Sequence, residues 1–351
     1  MTKSNAYAAH SAESFAPFIL ERRELGPRDV RIDILFCGIC HSDVHFARGD
    51  WFSPQYPCVP GHEIVGHVRA VGSEVVKFKS GDTVGVGCIV DSCRRCSSCE
   101  ESQEQYCEPG FTSTYGSIDP HDGRPTYGGY SDHIVVDENY VLNILHDEAQ
   151  LAAVAPLLCA GITLYSPLRR WGAAPGKKVG VVGIGGLGHI GIKLSHALGA
   201  HTVAFTTSAG KVEQAHALGA VDVVISNDAE NVAKHAGSFD LIINTVSASQ
   251  DLDTYVGLLK RDGTLVLLGA GPEAHIGPNA FALISKRRSI SGSMIGGLAE
   301  TQEMLDFCAA KGIVPDIELI GVKDIESAYD RILKSDVKYR FVIDLATLEM
   351  A

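Results

Sequence analysis

The stretch Val179-Gly180-Val181-Val182-Gly183-Ile184-Gly185-Gly186-Leu187-Gly188 decides the fold of this chain. An apolar strand leads into a turn with the spacing Gly-x-Gly-x-x-Gly, and residues 189–198 then have the apolar spacing of a helix. Such glycines allow a tight turn, a close backbone approach to a pyrophosphate, and a helix N-terminus that faces the anion. The segment therefore predicts a dinucleotide site, whereas the glycines without flanking elements would be a weak indication. The predicted cofactor contacts of the turn are Gly183, Gly185, Gly186, Leu187 and Gly188.

Strands and helices continue to alternate after this turn. Candidate strands occupy residues 202–206, 221–225, 241–246, 264–268 and 289–294, and candidate helices occupy residues 211–218, 229–235 and 252–259. Strands separated by helices imply a parallel sheet with right-handed crossovers. The chain is therefore predicted to be an α/β protein with a Rossmann-type, doubly wound nucleotide-binding domain over residues 156–294.

The residues on either side of this domain have a different pattern. A chain of 351 residues exceeds the size at which one core usually stops growing, so a second domain is expected. Residues 30–35 alternate in the two-residue rhythm of a half-buried strand, and residues 63–71 form a similar run between frequent Gly and Pro. A compact, barrel-like β domain is predicted over residues 1–155, completed by residues 295–351. Residues 148–158 are rich in Ala and Leu and are predicted to be helical.

Composition and charge argue against several classes of protein. Hydrophobic residues make up 45% of the chain and charged residues 21%, which is ordinary for a globular protein. The net charge of −12 argues against a surface for nucleic acid or an anionic membrane, because either would need a basic field. No apolar run approaches the roughly 20 residues that span a bilayer, and the first residues lack the apolar core of a signal peptide. A cytoplasmic location is therefore expected.

Four of the ten cysteines lie close together in the sequence. Cys93, Cys96 and Cys99 are each separated by two residues, and Cys107 follows after seven more. Disulfides or buried thiols are the alternative, but nothing in the sequence directs export to an oxidising compartment. Four thiolates suit a closed tetrahedral zinc site, and metal binding would order a segment that has no obvious apolar core. Residues 93–107 are therefore predicted to hold a structural zinc ion.

A second group of metal-ligand residue types lies in two short segments, Cys40-His41-Ser42-Asp43-Val44-His45 and Gly61-His62-Glu63. Thiol, imidazole and carboxylate groups bind zinc at neutral pH, and a catalytic zinc needs only three protein ligands and an open position. Two plausible ligands lie here, so a third is expected elsewhere in the chain. Spacing does not choose among the remaining scattered cysteines, because each is as readily a small buried hydrophobic residue.

The sequence after the second predicted strand of the nucleotide domain indicates which dinucleotide binds. An NAD site usually places Asp or Glu about 20 residues after the first glycine, where it binds the ribose 2′-hydroxyl. Here the sequence is Ala204-Phe205-Thr206-Thr207-Ser208-Ala209-Gly210-Lys211, without an acid. Hydroxyls and an ammonium would bind a 2′-phosphate that a carboxylate would repel, so NADP is predicted, with Thr207, Ser208 and Lys211 near the phosphate. An exposed Ser/Thr turn with a solvated lysine is the alternative.

These motifs, together with Ala155-Pro156-Leu157-Leu158-Cys159-Ala160-Gly161-Ile162-Thr163, occur in the order found in a known family. Over nearly its full length the chain resembles the zinc-dependent medium-chain alcohol dehydrogenases, and within them the cinnamyl-alcohol-dehydrogenase-like, NADP-dependent branch. The resemblance implies a GroES-like irregular β-barrel catalytic domain and a Rossmann domain that binds NADP(H). It also implies one catalytic and one structural zinc ion per chain, and a homodimer.

The resemblance further implies the ligands of the catalytic zinc ion. Cys40, His62 and Cys159 would bind the metal as a Cys₂His set, and Glu63 would lie beside it and exchange with the water or substrate position. Asp43 would orient a ligand imidazole. The implied reaction is reversible hydride transfer between NADP(H) and primary alcohols or aldehydes of a broad aromatic and aliphatic range.

Other residues receive roles from the same resemblance. Ser42 would hydrogen-bond the substrate oxygen and pass its proton toward solvent, with His45 as the outer member of the relay. Thr163 would contact the nicotinamide, and the backbone of Ser293 to Ile295 would approach its carboxamide. Three further positions line the substrate channel in this branch: Trp51, Cys88 and Tyr115. Ordinary core packing would explain each of the three equally well.

The sequence disfavours three other interpretations. A polyol dehydrogenase is disfavoured by the missing acid after the second strand and by the complete four-cysteine segment. A zinc-free quinone reductase of similar architecture would lack Cys40, His62 and that segment. A nucleotide-binding or structural protein without catalysis would not need metal ligands, a hydroxyl relay and a glycine turn together.

Overall fold

The computed structural model describes residues 1–51, 54–269, 271 and 273–349. The chain divides into two compact units, Met1–Cys159 with Gly296–Ala351, and Ala160–Ile295. The strands are β1 (Thr2–Ser11), β2 (Ser14–Arg22), β3 (Asp29–Gly38), β4 (Ile64–Val71), β5 (Thr83–Val86), β6 (Ile89–Asp91), β7 (Thr112–Ser113), β8 (His133–Asp137), β9 (Leu142–Asn143), β10 (Lys178–Val182), β11 (His201–Thr206), β12 (Asp222–Ile225), β13 (Phe239–Asn244), β14 (Leu259–Leu267), β15 (Ser289–Gly292), β16 (Ile317–Ile320) and β17 (Arg340–Asp344). The α-helices are α1 (His41–Arg48), α2 (Ser97–Glu100), α3 (Leu151–Val154), α4 (Ala160–Arg170), α5 (Gly188–Ala197), α6 (Val212–Ala217), α7 (Ala229–Ala233), α8 (Leu252–Leu258), α9 (Ala280–Ile284), α10 (Leu298–Lys311) and α11 (Ile325–Leu333).

The first unit is built on a seven-stranded sheet in the order β16-β17-β3-β4-β5-β9, with β8 also paired to β3. Its pairs are antiparallel except for β16 with β17. Strand β17 comes from the end of the chain and pairs with β3, where Val342 lies opposite Gly38. The predicted β architecture of this unit is confirmed, and β16 and β17, from the last part of the chain, share the sheet of β3.

Two stretches of the first unit differ from the local sequence pattern. Residues 41–48 lie in a predicted β region but form α1, which ends at Gly49 in the left-handed conformation (φ 75°) that glycine favours. The predicted helix over residues 148–158 is broken into 3-10 turns on either side of α3. Pro156 lies in the second turn, and a proline lacks the N–H that a continuing helix needs.

The second unit is a six-stranded parallel sheet in the order β12-β11-β10-β13-β14-β15. This order confirms the predicted doubly wound, Rossmann-type fold, and it reverses between β10 and β13, where ligands bind in such sheets. Its core is formed by buried side chains of the strands and of α8, among them Phe205, Phe239, Leu265 and Tyr255. Each fully buried side chain of this size contributes about 1.5–3 kcal/mol of transfer free energy.

In the part of the chain that the structure describes, no individual helix has the length and apolar character needed to cross a membrane. The bent pair Glu148–Leu158 and Ala160–Arg170 passes a test of length and composition only when taken together. Most residues of this pair are buried in the protein, as in a core helix.

Candidate active site

The start of α1 joins the two short motifs of the first unit. Cys40 stands just before the helix in extended backbone (φ −104°, ψ 154°), and its N–H donates to Asp43 Oδ2 over 2.7 Å. The other oxygen of the fully buried Asp43 carboxylate accepts from the Gly61 N–H over 3.1 Å. Asp43 therefore ties the helix start to the segment that carries His62 and Glu63.

Cys40, His62, Glu63 and Cys159 form a buried cluster whose ligand atoms all lie within 4.8 Å of one another. The two sulfur atoms are 3.9 Å apart. Two thiols and an imidazole are the donor set of a catalytic zinc site, and the carboxylate adds a further oxygen donor. The donors fit a zinc ion, and they include Cys159, which cysteine spacing did not select.

Two side chains contact Nδ1 of the His62 imidazole and fix the orientation of the ring. Its Nδ1 lies 3.3 Å from the Tyr115 hydroxyl and 3.4 Å from Asp43 Oδ1, and the two rings stack with centroids 5.5 Å apart. Its Nε2 has no hydrogen-bond partner of ordinary geometry among the described residues, although the thiols of Cys40 and Cys88 interact with the ring. Burial lowers the pKa of His62, but Cys88 and Asp43 outweigh this effect and raise the pKa above its usual value. Nε2 is therefore the nitrogen available to a metal, with Nδ1 oriented by its two partners.

The carboxylate of Glu63 is paired at close range with the guanidinium of Arg340 on β17. Both side chains are buried, and Glu63 is 0% exposed. Burial raises the pKa of Glu63 to about 8, and the neighbouring Arg340 opposes that shift. Glu63 Oε2 has no hydrogen-bond partner among the described residues, so one carboxylate oxygen is held by Arg340 and the other is open to a cation. Sequence analysis missed Arg340, and a single arginine at the start of an apolar run was the available indication.

The predicted relay residues lie on α1. Ser42 Oγ is 3.6 Å from Cys40 Sγ, which places the hydroxyl next to the cluster. His45 Nδ1 lies 2.8 Å from Asp50 Oδ2, so a carboxylate holds one nitrogen of that ring. The relay itself stays a prediction.

The three residues predicted to line the substrate channel lie in different surroundings. Trp51 is 46% exposed and stacks on the His45 ring with centroids 4.8 Å apart. Cys88 hydrogen-bonds with the side chains of Cys159 and His62, and Tyr115 contacts His62 as described. Two of the three therefore touch metal-ligand residues, and their contact with substrate stays a prediction.

The four thiols of residues 93–107 form the second metal-ligand cluster. The sulfur atoms of Cys93, Cys96, Cys99 and Cys107 all lie within 4.8 Å of one another. Backbone N–H groups donate to three of these sulfurs, at 3.4 Å to Cys93 and Cys107 and at 3.5 Å to Cys96. The short helix α2 within this lobe has no buried residue, so metal binding would supply ordering energy that apolar packing of this helix does not. The lobe therefore fits a closed, structural zinc ion.

The glycine turn of the second unit lies between β10 and α5. A Cβ atom at Gly188 would stand 1.8 Å from the Gly183 carbonyl oxygen, so only glycine fits there. Gly183 itself has φ 91°, in the region that glycine favours. A Cβ atom at the exposed Gly185 would meet nothing within 4 Å among the described residues. The backbone at this point is open to a pyrophosphate.

The segment after β11 meets the glycine turn. Lys211 Nζ donates to the Ile184 carbonyl over 3.0 Å, which brings the ammonium to the turn. Thr207 and Ser208 are exposed, and the Ser208 N–H donates to Thr206 Oγ1 over 3.2 Å. The ammonium of Lys211 thus lies at the glycine turn, and the binding of a 2′-phosphate by Thr207, Ser208 and Lys211 stays a prediction.

The residues assigned to the nicotinamide lie elsewhere in the second unit. Thr163 is 8% exposed on α4. Ser293 follows β15, and its N–H donates to the Leu267 carbonyl over 3.4 Å. Ile295 has φ 37°, an uncommon backbone for a β-branched residue. Their contact with the nicotinamide stays a prediction.

Comparisons with known proteins agree with the fold and the clusters. Residues 26–146 match the family model of the alcohol dehydrogenase GroES-like domain, and residues 186–310 match that of the zinc-binding dehydrogenases. The aldehyde reductase YahK of Escherichia coli is 60% identical over 347 residues, which cover 99% of each chain. The NADP-dependent alcohol dehydrogenase C 1 of Mycolicibacterium smegmatis is 56% identical over 350 residues, again 99% of each chain.

A solved structure places the chain within the family. The cinnamyl alcohol dehydrogenase SbCAD4 of Sorghum bicolor superposes with a TM-score of 0.94 at 41% identity, covering 100% of this chain and 99% of that chain. The fold, the two metal-ligand clusters and the sequence identity over the whole length all indicate the same family. The chain therefore belongs to the zinc-dependent medium-chain alcohol dehydrogenases, in their cinnamyl-alcohol-dehydrogenase-like branch.

Proposed function

We propose that the protein is a zinc-dependent alcohol dehydrogenase, or aldehyde reductase, that transfers a hydride reversibly between NADP(H) and primary alcohols or aldehydes. The observation that carries the proposal is the buried cluster of Cys40, His62, Glu63 and Cys159, a donor set suited to a catalytic zinc ion. The hydroxyls and the lysine after β11 support NADP. The names of the two bacterial relatives, an aldehyde reductase and an NADP-dependent alcohol dehydrogenase, agree with this reaction.

The roles of the side chains follow from their positions. A bound zinc ion supplies Lewis acidity toward the alcohol or aldehyde oxygen. Asp43 and Tyr115 orient the His62 ring through Nδ1, so Nε2 would be the nitrogen that binds a zinc ion. Ser42 exchanges a proton with the substrate oxygen. His45 carries that proton onward at Nε2, because Asp50 holds its Nδ1.

The two units are proposed to have different roles. We assign the metal, the relay and the substrate pocket to the first unit, and the cofactor to the second. The turn from Gly183 to Gly188 would receive the pyrophosphate, and Thr207, Ser208 and Lys211 the 2′-phosphate. Thr163, Ser293 and Ile295 are assigned to the nicotinamide end.

Initial rates with a panel of aromatic and aliphatic aldehydes test the reaction. We expect reduction with NADPH at rates well above those with NADH, and loss of activity when chelation removes zinc. In the double variant Ser208→Ala/Lys211→Ala, the KM for NADPH should rise far more than that for NADH. A protein that binds NADPH and reduces no aldehyde would contradict the proposal, and equal changes for both cofactors would contradict the phosphate site.

The expected homodimer also belongs to this proposal. Ile276, Phe281 and Ile284 are 66%, 74% and 74% exposed, and they precede the edge strand β15 in the sequence. Large apolar side chains with this degree of exposure are typical of a surface that a second copy covers. Light scattering should give the mass of a dimer for the wild type and of a monomer for Phe281→Asp. The cytoplasmic location stays a prediction.

A further inference from the structure

A group of polar side chains that the proposed function does not use lies at the amino ends of three strands of the parallel sheet. Lys178 begins β10, Asp222 begins β12, and Ser238 directly precedes β13. His235 lies in the turn between α7 and β13. The glycine turn follows the other end of β10, and a rise of roughly 3.3 Å per residue puts it about 16 Å from the start of that strand. The group is therefore separate from the predicted cofactor site.

The side-chain amine of Lys178 is held by two acceptors. Its Nζ lies 3.0 Å from His235 Nδ1 and 3.0 Å from Ser238 Oγ. Ser238 Oγ donates its own proton to the His235 carbonyl over 2.7 Å, which leaves its lone pairs to accept from the amine. The buried Phe239 ring has its centroid 4.5 Å from Nζ and partly shields the amine from water. A neutral amine has two N–H groups, so it keeps both hydrogen bonds and retains a lone pair that can attack carbon.

The neighbouring lysines are held differently. Lys177 and Lys260 pair with the Asp240 carboxylate at 3.6 Å and 2.8 Å, so each keeps a countercharge. Lys178 contacts an imidazole and a hydroxyl instead. Burial lowers the pKa of Lys178, Asp222 opposes that shift, and Lys260 adds to it. The neutral amine is therefore more populated at Lys178 than at an ion-paired lysine.

His235 has the position of a general base toward this amine. Its Nδ1 can accept from Nζ only as a neutral imidazole that carries its proton on Nε2. Burial, together with the charge of Lys178, lowers the pKa of His235 and favours that neutral form. Asp222 Oδ2 lies 3.6 Å from Nε2, where it favours the same tautomer and would stabilise the imidazolium after proton transfer. A nucleophile beside a base that a third group orients is the arrangement that activates nucleophiles in enzymes.

We propose that Lys178 is a nucleophilic lysine that forms a reversible imine with aldehydes, with His235 as its base and Asp222 as the residue that orients His235. The inference rests on the proposed function for its ligand class, because that function brings aldehydes to this protein. The Nζ lone pair forms the N–C bond, and the carbonyl oxygen becomes a hydroxyl group with the proton that leaves Nζ through His235. The imidazole then delivers the second N–H proton to this hydroxyl group, which leaves as water while the C=N bond forms.

Reductive trapping tests the proposal on the full-length, zinc-loaded protein near neutral pH. Acetaldehyde and cyanoborohydride are added without NADPH, so that an imine is fixed as an ethyl group and peptide mass mapping locates it. A positioned general base typically contributes about 10²–10⁴-fold, so we expect Lys178 to be labelled at least about tenfold faster than Lys177. Lys177 is the internal control, because it is adjacent in sequence and 51% exposed but pairs with a carboxylate. Equal labelling of the two lysines in the wild-type protein would overturn the proposal.

Two variants test the role of the base. In His235→Asn, labelling of Lys178 should fall to the rate of Lys177, while labelling of Lys177 stays unchanged. His216→Asn is the matched control, because that histidine lies on α6 of the same unit and contacts the Ala220 carbonyl, and its labelling should equal that of wild type. Undiminished labelling of Lys178 in His235→Asn would also overturn the proposal.

The trapping experiment and the test of the proposed function have separate readouts. Trapping uses no NADPH, whereas aldehyde reduction is measured with NADPH on the same preparation. Reduction without preferential labelling of Lys178 would overturn this inference alone. Preferential labelling without any reduction would support the inference and overturn the proposed function.

Discussion

The two metal-ligand clusters of this protein are built in opposite ways. The lobe takes all four thiols from residues 93–107, three of them partly exposed, and backbone groups within the lobe donate to the sulfurs. The catalytic cluster takes its ligands from three separate places in the chain and buries all of them. Its charged partners, Asp43 and Arg340, come from α1 and β17. The lobe thus depends on its metal for structure, whereas the catalytic cluster depends on the fold for its geometry.

The largest effect should come from removing a ligand of the catalytic cluster. We expect Cys159→Ala to lower kcat/KM for aldehyde reduction by about 10⁴-fold, equivalent to about 5 kcal/mol, because Lewis acidity at the substrate oxygen is lost. The melting temperature should change by only a few degrees, since the surrounding sheet keeps its core. Steady-state kinetics, zinc content and thermal melting check these expectations together. Cys58→Ala, another buried cysteine of the same unit, is the control, and a fully active, zinc-replete Cys159→Ala would break the contrast.

Removing a ligand of the lobe should mainly lower stability, whereas removing a ligand of the catalytic cluster should mainly lower activity. Cys96→Ala is expected to release the lobe zinc and to lower the free energy of unfolding by about 4 kcal/mol or more, because metal binding is the folding energy of this segment. Limited proteolysis should cut the variant within residues 93–107 while the second unit stays intact. A variant with wild-type stability and protease resistance would show that the lobe is held by its backbone alone.

The buried ion pair distinguishes the catalytic cluster further. Arg340→Met leaves the Glu63 carboxylate buried without its partner and should cost about 3 kcal/mol of unfolding free energy, measured by urea titration. The double variant Glu63→Gln/Arg340→Met should recover most of that loss, because no unpaired charge remains. Arg331→Met is the control: its guanidinium is 36% exposed and its ion pairs are screened by solvent, so the free energy of unfolding should change little.

The smallest effect is expected from removing the Tyr115 hydroxyl, which contacts the His62 ring. Tyr115→Phe keeps the stacked ring and removes the hydroxyl that lies 3.3 Å from Nδ1. We expect release of the catalytic zinc to a chromophoric chelator to quicken by about tenfold, while release from the lobe stays unchanged. Tyr56→Phe, which removes a hydroxyl bonded to the Ala47 carbonyl, should affect neither rate. If zinc left the catalytic cluster and the lobe with equal acceleration, Tyr115 would act on the stability of the whole unit and not on the imidazole.

The difference between the local lobe and the dispersed catalytic cluster also explains how much could be predicted from the sequence. The lobe and the glycine turn are local, so spacing along the chain was enough to assign their chemistry. The third ligand, Cys159, needed a family resemblance, because six scattered cysteines look alike in one dimension. Arg340 and the contacts of Cys88 with His62 were not foreseen, since both depend on strands that meet only in the folded sheet. Helix α1 was missed because residues 41–48 are short and polar, and tertiary contacts through Asp43 stabilise their start.

The position of β17 within the first sheet has a consequence for how the protein is made. Glu63 and Arg340 are 277 residues apart in sequence. At about 5–20 residues per second, a ribosome needs on the order of tens of seconds between them. During that interval the first unit lacks a strand of its sheet, and the Glu63 carboxylate lacks its countercharge. The ion pair of Glu63 with Arg340 can therefore form only after the whole nucleotide-binding unit has been synthesised, so the surroundings of the catalytic cluster are completed by the last part of the chain.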